Sequence, residues 1–145
     1  MTQRLDFYSA NPEAVKAMMA MEKRIHASGF DIGLTHLVRL RVSQINGCAY
    51  CVDLHAADAR KSGVDDRAIA TVCVWRDTPF FDERQRAALA WAEAVTLVAQ
   101  THVPDDAWNE TNAQFSEAEL VDLTLLVIAI NGWNRLAIAF RKQPS

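Results

Sequence analysis

Glycine and proline are scarce, with five and four in 145 residues. A strand-rich chain needs many tight turns, which those residues supply, so a β-dominated fold is not expected. A basic excess is also missing. Lys plus Arg is 15 against 18 Asp plus Glu, a formal net charge of −3, and this argues against a nucleic-acid surface. No uninterrupted apolar run approaches the roughly 18 residues of a membrane span; the longest candidate is Leu125 to Ile130. Met1 to Asp6 is not followed by the apolar stretch of a secretory signal, so the expected compartment is the cytoplasm. There, three cysteines point to catalysis or metal binding rather than to structural disulfides.

Half the residues are apolar and 23% are charged, the balance of one globular domain, here spanning 1–145. The segments between the few breakers read as helices. Asn11-Pro12-Glu13 is a helix start, with an N-cap, Pro in the first position and an acid in the first turn. That helix is expected to run to about His26. A second begins near Asp31 and carries Leu34, Leu37, Val38, Val42 and Ile45, until Asn46-Gly47 stops it. A third spans about Cys48 to Gly63, and a short fourth spans about Asp65 to Val74. Trp75 to Phe81 reads as an aromatic-rich loop. Asp82-Glu-Arg-Gln85 resembles a capping box and opens an Ala-rich helix to about Gln100. His102-Val-Pro104 breaks the chain, Asp105 to Phe115 is helical, and Ser116-Glu-Ala-Glu119 caps a last helix reaching about Arg141. The expected fold is all-α, with about seven helices. The last helix is apolar on nearly every side, which suits a central core helix or a subunit interface.

The chemistry concentrates between Arg39 and Gly63. Cys48 and Cys51 lie three apart at an expected helix start, so their sulfurs share a face. The helix N-terminus favours a thiolate there. His55 sits one turn beyond Cys51, where an imidazole can take the thiol proton or stabilise the thiolate. Together these supply an activated thiol, a second thiol to resolve it, and a base. A zinc reading has Cys48, Cys51 and His55, with His36 as a fourth ligand. A haem-attachment reading fails because Val52, not His, follows Cys51, and a thioredoxin reading fails for lack of a βαβ pattern.

Ser43-Gln-Ile-Asn-Gly-Cys48-Ala-Tyr-Cys51 with His55 resembles the core motif of the alkylhydroperoxidase D-like (AhpD-like) proteins of the carboxymuconolactone decarboxylase superfamily. Trp75-Arg76, Glu83-Arg84, Ala87 to Ala94, Phe115-Ser116 and Ile130 to Arg135 are similar as well. The resemblance implies a helical protein assembled as a homo-oligomer, usually a trimer or hexamer. It implies hydroperoxide reduction through a dithiol/disulfide cycle, with a dithiol protein as reductant and no metal or organic cofactor. It implies that Cys51 attacks the peroxide, that Cys48 resolves the sulfenic acid, and that His55 belongs to the proton relay. Where the family relay often begins with Glu, twelve residues before the first cysteine, this chain has His36. An imidazole can relay protons but brings no negative charge. Tyr50 replaces the family's frequent His before the second cysteine. Decarboxylation is not expected, because those decarboxylases do not rely on a CxxC pair. The rival reading is a redox-responsive or structural oligomer with little turnover.

The remaining residues read as structure. Cys73 lies in an apolar run and is expected to be a buried small hydrophobe. His26 and His102 are expected in solvent, and Asp53 complements its helix dipole. Gln44 and Asn46 hold the helix junction. Asn131 and Asn134, polar within an apolar helix, need hydrogen-bond partners on a neighbouring helix or subunit. Trp75, Phe80, Phe81, Trp91, Trp108 and Trp133 belong to the core or an interface, some of them lining an apolar channel to Cys51.

Overall fold

A computed structural model describes residues 1–145 and contains no strand. Nine α-helices follow in order: α1 (Phe7–Ala10), α2 (Pro12–Ala27), α3 (Ile32–Asn46), α4 (Ala49–Lys61), α5 (Asp66–Thr71), α6 (Glu83–Thr96), α7 (Val98–Thr101), α8 (Asp105–Asn112) and α9 (Glu117–Ala139). The caps read from the sequence are in place. Asn11, Asp31, Asp82 and Ser116 each accept a backbone N–H of the following turn, the last two within full capping boxes.

The count exceeds the expected seven for local reasons. The one-turn helix α1 carries too short a pattern to be visible in sequence. The Ala-rich helix ends at Thr96, with Leu97 leaving helical geometry, and α7 restarts beyond it. Thr101 Oγ1 donates back to Ala94 O at 2.7 Å and closes that bend. The fourth expected helix stops at Thr71 and tightens into a 3-10 segment, Val72–Asp77, which takes the first half of the expected loop. Its three-residue repeat turns Val72 and Trp75 inward and leaves Cys73 and Val74 outside. Cys73 is therefore exposed, and the expectation of a buried Cys73 is corrected.

Helix α3 lies between two cores. Leu34, Val38 and Val42 face a cluster with Ile25 of α2, Ala88 of α6, and Leu123, Leu126, Val127 and Ile130 of α9. Leu37 and Leu40 face a second, with Ala59, Ile69, Val72, Trp75 and Leu89. A helix apolar on two sides shows no clean amphipathic stripe. The alanines of α6 let it approach both neighbours. Gly132 does the same where α2 crosses α9: a Cβ there would lie 2.8 Å from Met18 Cε.

By length and composition α9 is apolar enough to cross a membrane. In the fold it packs against α2, α3, α4, α6 and α8. Val121 and Ile128 remain 70% and 51% exposed on its outer side, so the helix is central without being covered all round. Its amides find partners within the chain. Asn46 Nδ2 donates to Asn131 Oδ1 and Asn134 Oδ1, both at 2.9 Å, and Asn134 Nδ2 donates to Ser43 Oγ at 3.0 Å. These bonds pin the end of α3, and hence the cysteine loop, to α9.

Candidate active site

The junction between α3 and α4 places the sulfurs. Gly47 ends α3 with φ 71°, a left-handed conformation that favours glycine. Its neighbour Cys48 is the N-cap of α4, and Cys48 Sγ accepts the Cys51 N–H at 3.3 Å. A sulfur used as N-cap lies among free helix N–H groups, which favours negative charge on it. Cys48 and Cys51 are joined as a disulfide, with Cα atoms 5.3 Å apart. Both are buried, against Ala137 of α9 and beside Tyr50.

His55 lies one turn along α4 and is 8% exposed. His36 comes from α3 and is equally buried, its ring centroid 5.9 Å from that of His55. The Nδ1 atoms of both rings lack a hydrogen-bond partner. Burial, helped by the nearby Arg39 cation and by His36, pushes the His55 pKa down to about 3. Burial and Arg39 also lower that of His36, while Asp58 and Glu22 act in the opposite sense. Both imidazoles are thus neutral at neutral pH, with lone pairs available.

His36 lacks the charge of a carboxylate, but the fold supplies one beside it. Ligand atoms of His36, His55 and Asp58 lie within 4.8 Å of one another. The relay and zinc readings of the sequence both put His36 with His55, and the structure brings the two rings together; Asp58, three residues beyond His55 on the same helix face, had no part in either reading. These three are the residues here that could hold a metal ion. His26 and His102, by contrast, are exposed, as expected.

Cys51 and His55 share a cavity of about 180 Å³. Its apolar wall includes Phe7, Tyr8, Met19, Tyr50, Leu54 and Trp133. Of the six aromatics weighed in sequence, Trp133 alone reaches it. Trp75 is buried instead and donates through Nε1 to Glu93 at 3.0 Å, while Trp108 is 44% exposed. The missed aromatics, Phe7 and Tyr8, belong to α1. Tyr50 lines the cavity and stacks under Lys142 Nζ, 4.8 Å from its ring centroid. The polar wall is an ion pair, Arg39 Nη2 to Glu22 Oε2 at 2.5 Å, and Glu22 also accepts Trp133 Nε1 at 2.9 Å. Nothing local in the sequence signals this pairing, because Glu22 comes from α2.

Set beside known proteins, these features have a consistent context. Residues 12–94 match the model of the carboxymuconolactone decarboxylase family, and the chain belongs to that family, in its AhpD-like branch. It is similar to the uncharacterised protein YdfG of Bacillus subtilis, 39% identical over 145 residues, which cover all of this chain and 99% of the relative. It is also similar to a crystal structure from Agrobacterium tumefaciens, of unknown function and described as a candidate AhpD antioxidant-defence protein, with 44% identity, a TM-score of 0.96 and 99% of each chain covered. A peroxidase-related protein from Ralstonia eutropha with an alkylhydroperoxidase AhpD core shares the fold, with a TM-score of 0.83 and 21% identity over 95% of this chain and 74% of the other.

Proposed function

We propose that the protein is a thiol peroxidase that reduces hydroperoxides through Cys51 and Cys48. The observation that carries this reading is the shared cavity: Cys51 and a buried neutral imidazole, His55, open together into one apolar pocket. Peroxide chemistry at cysteine needs a thiolate, a base for its proton, and shelter from competing nucleophiles.

In the reduced protein the Cys51 proton passes through His55 to His36 and Asp58, because burial keeps His55 from holding the charge itself. The Cys51 thiolate attacks one oxygen of the O–O bond, forming a sulfenic acid and expelling an alkoxide, which takes a proton and leaves as alcohol. The Cys48 thiolate, favoured by its N-cap position, then attacks the Cys51 sulfur, releasing water and closing the disulfide. An external dithiol protein attacks that disulfide and leaves oxidised itself, returning both thiols. The apolar wall supports organic hydroperoxides over hydrogen peroxide as substrates, and a dithiol reductant suits the reducing cytoplasm. The exposed apolar residues Val121, Ile128 and Trp108 support assembly as a homo-oligomer, a trimer or hexamer.

Rapid mixing of reduced protein with tert-butyl hydroperoxide, followed by mass spectrometry, tests the reading. Wild type forms the disulfide, Cys48→Ser stops at sulfenic acid, and Cys51→Ser leaves the site unoxidised. Oxidation no faster than that of an ordinary free thiol would overturn it in favour of a redox-responsive structural protein.

A further inference from the structure

We infer that His36, His55 and Asp58 form a binding site for a divalent transition cation of the zinc type, and that the ion, once bound, holds the imidazole the thiol chemistry needs. The first part stands on geometry alone; the second rests on the peroxidase reading.

Three observations converge. Two ligands come from one face of α4, since His55 and Asp58 are three apart, and the third comes from the facing helix α3. Their ligand atoms lie within 4.8 Å of one another. A tetrahedral ion roughly 2.0–2.2 Å from each requires separations of about 3.3 Å, so rotation of the side chains by no more than about 1.5 Å closes the site. Next, both imidazoles are about nine-tenths buried and have Nδ1 atoms without partners. A buried ring with no such partner is free to turn a nitrogen toward an ion, which meets it with a stronger bond than water. Finally, the charges allow it. Arg39, whose charge bears on both imidazoles, is paired with Glu22 at 2.5 Å, Lys61 Nζ reaches Asp58 only at 3.8 Å and is itself exposed, and Asp58 brings a negative charge into the cluster. Two imidazoles and a carboxylate suit zinc, with a water in the fourth position.

The ion and the proton then compete for one lone pair. With zinc on His55, the base that opens the cycle is occupied and oxidation of Cys51 slows.

Titration of zinc chloride into the disulfide-bonded protein, in a Cys73→Ser background, tests binding with no free thiol present. One ion per chain is expected. Outer-shell partners alone are typically worth 10–100-fold in affinity, so loss of a ligand in Asp58→Asn or His36→Gln should weaken binding at least about tenfold. The His26→Gln, His102→Gln double variant should bind as wild type does. Cobalt should give the visible absorption of a tetrahedral nitrogen–oxygen site. Absent binding, unchanged binding in both ligand variants, or loss of binding in the surface double variant overturns the site. In reduced protein, zinc should slow hydroperoxide oxidation more in wild type than in Asp58→Asn. Equal slowing assigns the effect to the thiols and overturns the inhibitory part. A protein that does not react with hydroperoxide at all refutes the peroxidase reading and leaves the binding result standing.

Discussion

Burial of His55 should appear directly as acid sensitivity. Its folded-state pKa is about 3, against about 6.5 for an exposed imidazole. Above pH 6.5 both folded and unfolded forms are neutral, and the group contributes no pH dependence. Below 6.5 the unfolded chain takes up a proton that the folded chain refuses, so stability falls by about 1.4 kcal/mol per pH unit. By pH 5 the loss is about 2 kcal/mol, and at the lower pKa it reaches a ceiling of about 5 kcal/mol. His36, lowered in the same sense, steepens the slope. His55→Gln in the disulfide-bonded form should remove the His55 share. Urea denaturation from pH 7 to 5 measures both proteins. Wild type should lose about 2 kcal/mol more than His55→Gln across that interval. Parallel stability curves, or a His55 ring resonance titrating near its ordinary pH, would refute the burial of a neutral imidazole beside the thiols. The proposed route of the proton away from Cys51 would fall with it.

Other perturbations test the frame around the site. Glu93 accepts from Arg41 Nε at 2.7 Å, from Trp75 Nε1 at 3.0 Å and from Arg76. Burial alone would raise its pKa, but those bonds hold it below the ordinary value. Glu93→Gln should destabilise by about 3 kcal/mol in thermal unfolding; the effect should be full above pH 4.5 and fade as acid protonates the wild-type carboxyl. Asn134→Ala removes the fully buried amide that ties Ser43 and Asn46 to α9. It should cost about 2 kcal/mol in denaturant unfolding and loosen the cysteine loop, read as faster amide exchange at Gly47 and Cys48. In non-denatured, disulfide-bonded protein, iodoacetamide should label Cys73 alone, because Cys73 is exposed and the other two sulfurs are bonded to each other. Failure to label Cys73 would return that segment to the core.

Local signals carried much of the fold and the centre of the site. Scarce glycine and proline, with four well-formed caps, indicated helices and most of their starts, because a cap is an interaction within a few residues of chain. The spacing Cys48, Cys51, His55 was legible for the same reason: one helix carries all three. Local patterns failed where a neighbour decided. Thr101 folding back on Ala94 divided the Ala-rich helix, and the inward turn of Val72 and Trp75 pushed Cys73 to the surface. They failed again where the site joins distant segments. Phe7 and Tyr8 wall the cavity from the first turn of the chain, Glu22 neutralises Arg39 from α2, and Asp58 supplies beside His36 the charge that position itself lacks. The sequence by itself determined most of the helices and the spacing of Cys48, Cys51 and His55, since these rest on contacts three or four residues apart. Only tertiary packing decided that two imidazoles and a carboxylate converge in a buried pocket, because the energy of burial and of charge depends on what other helices bring to the same place.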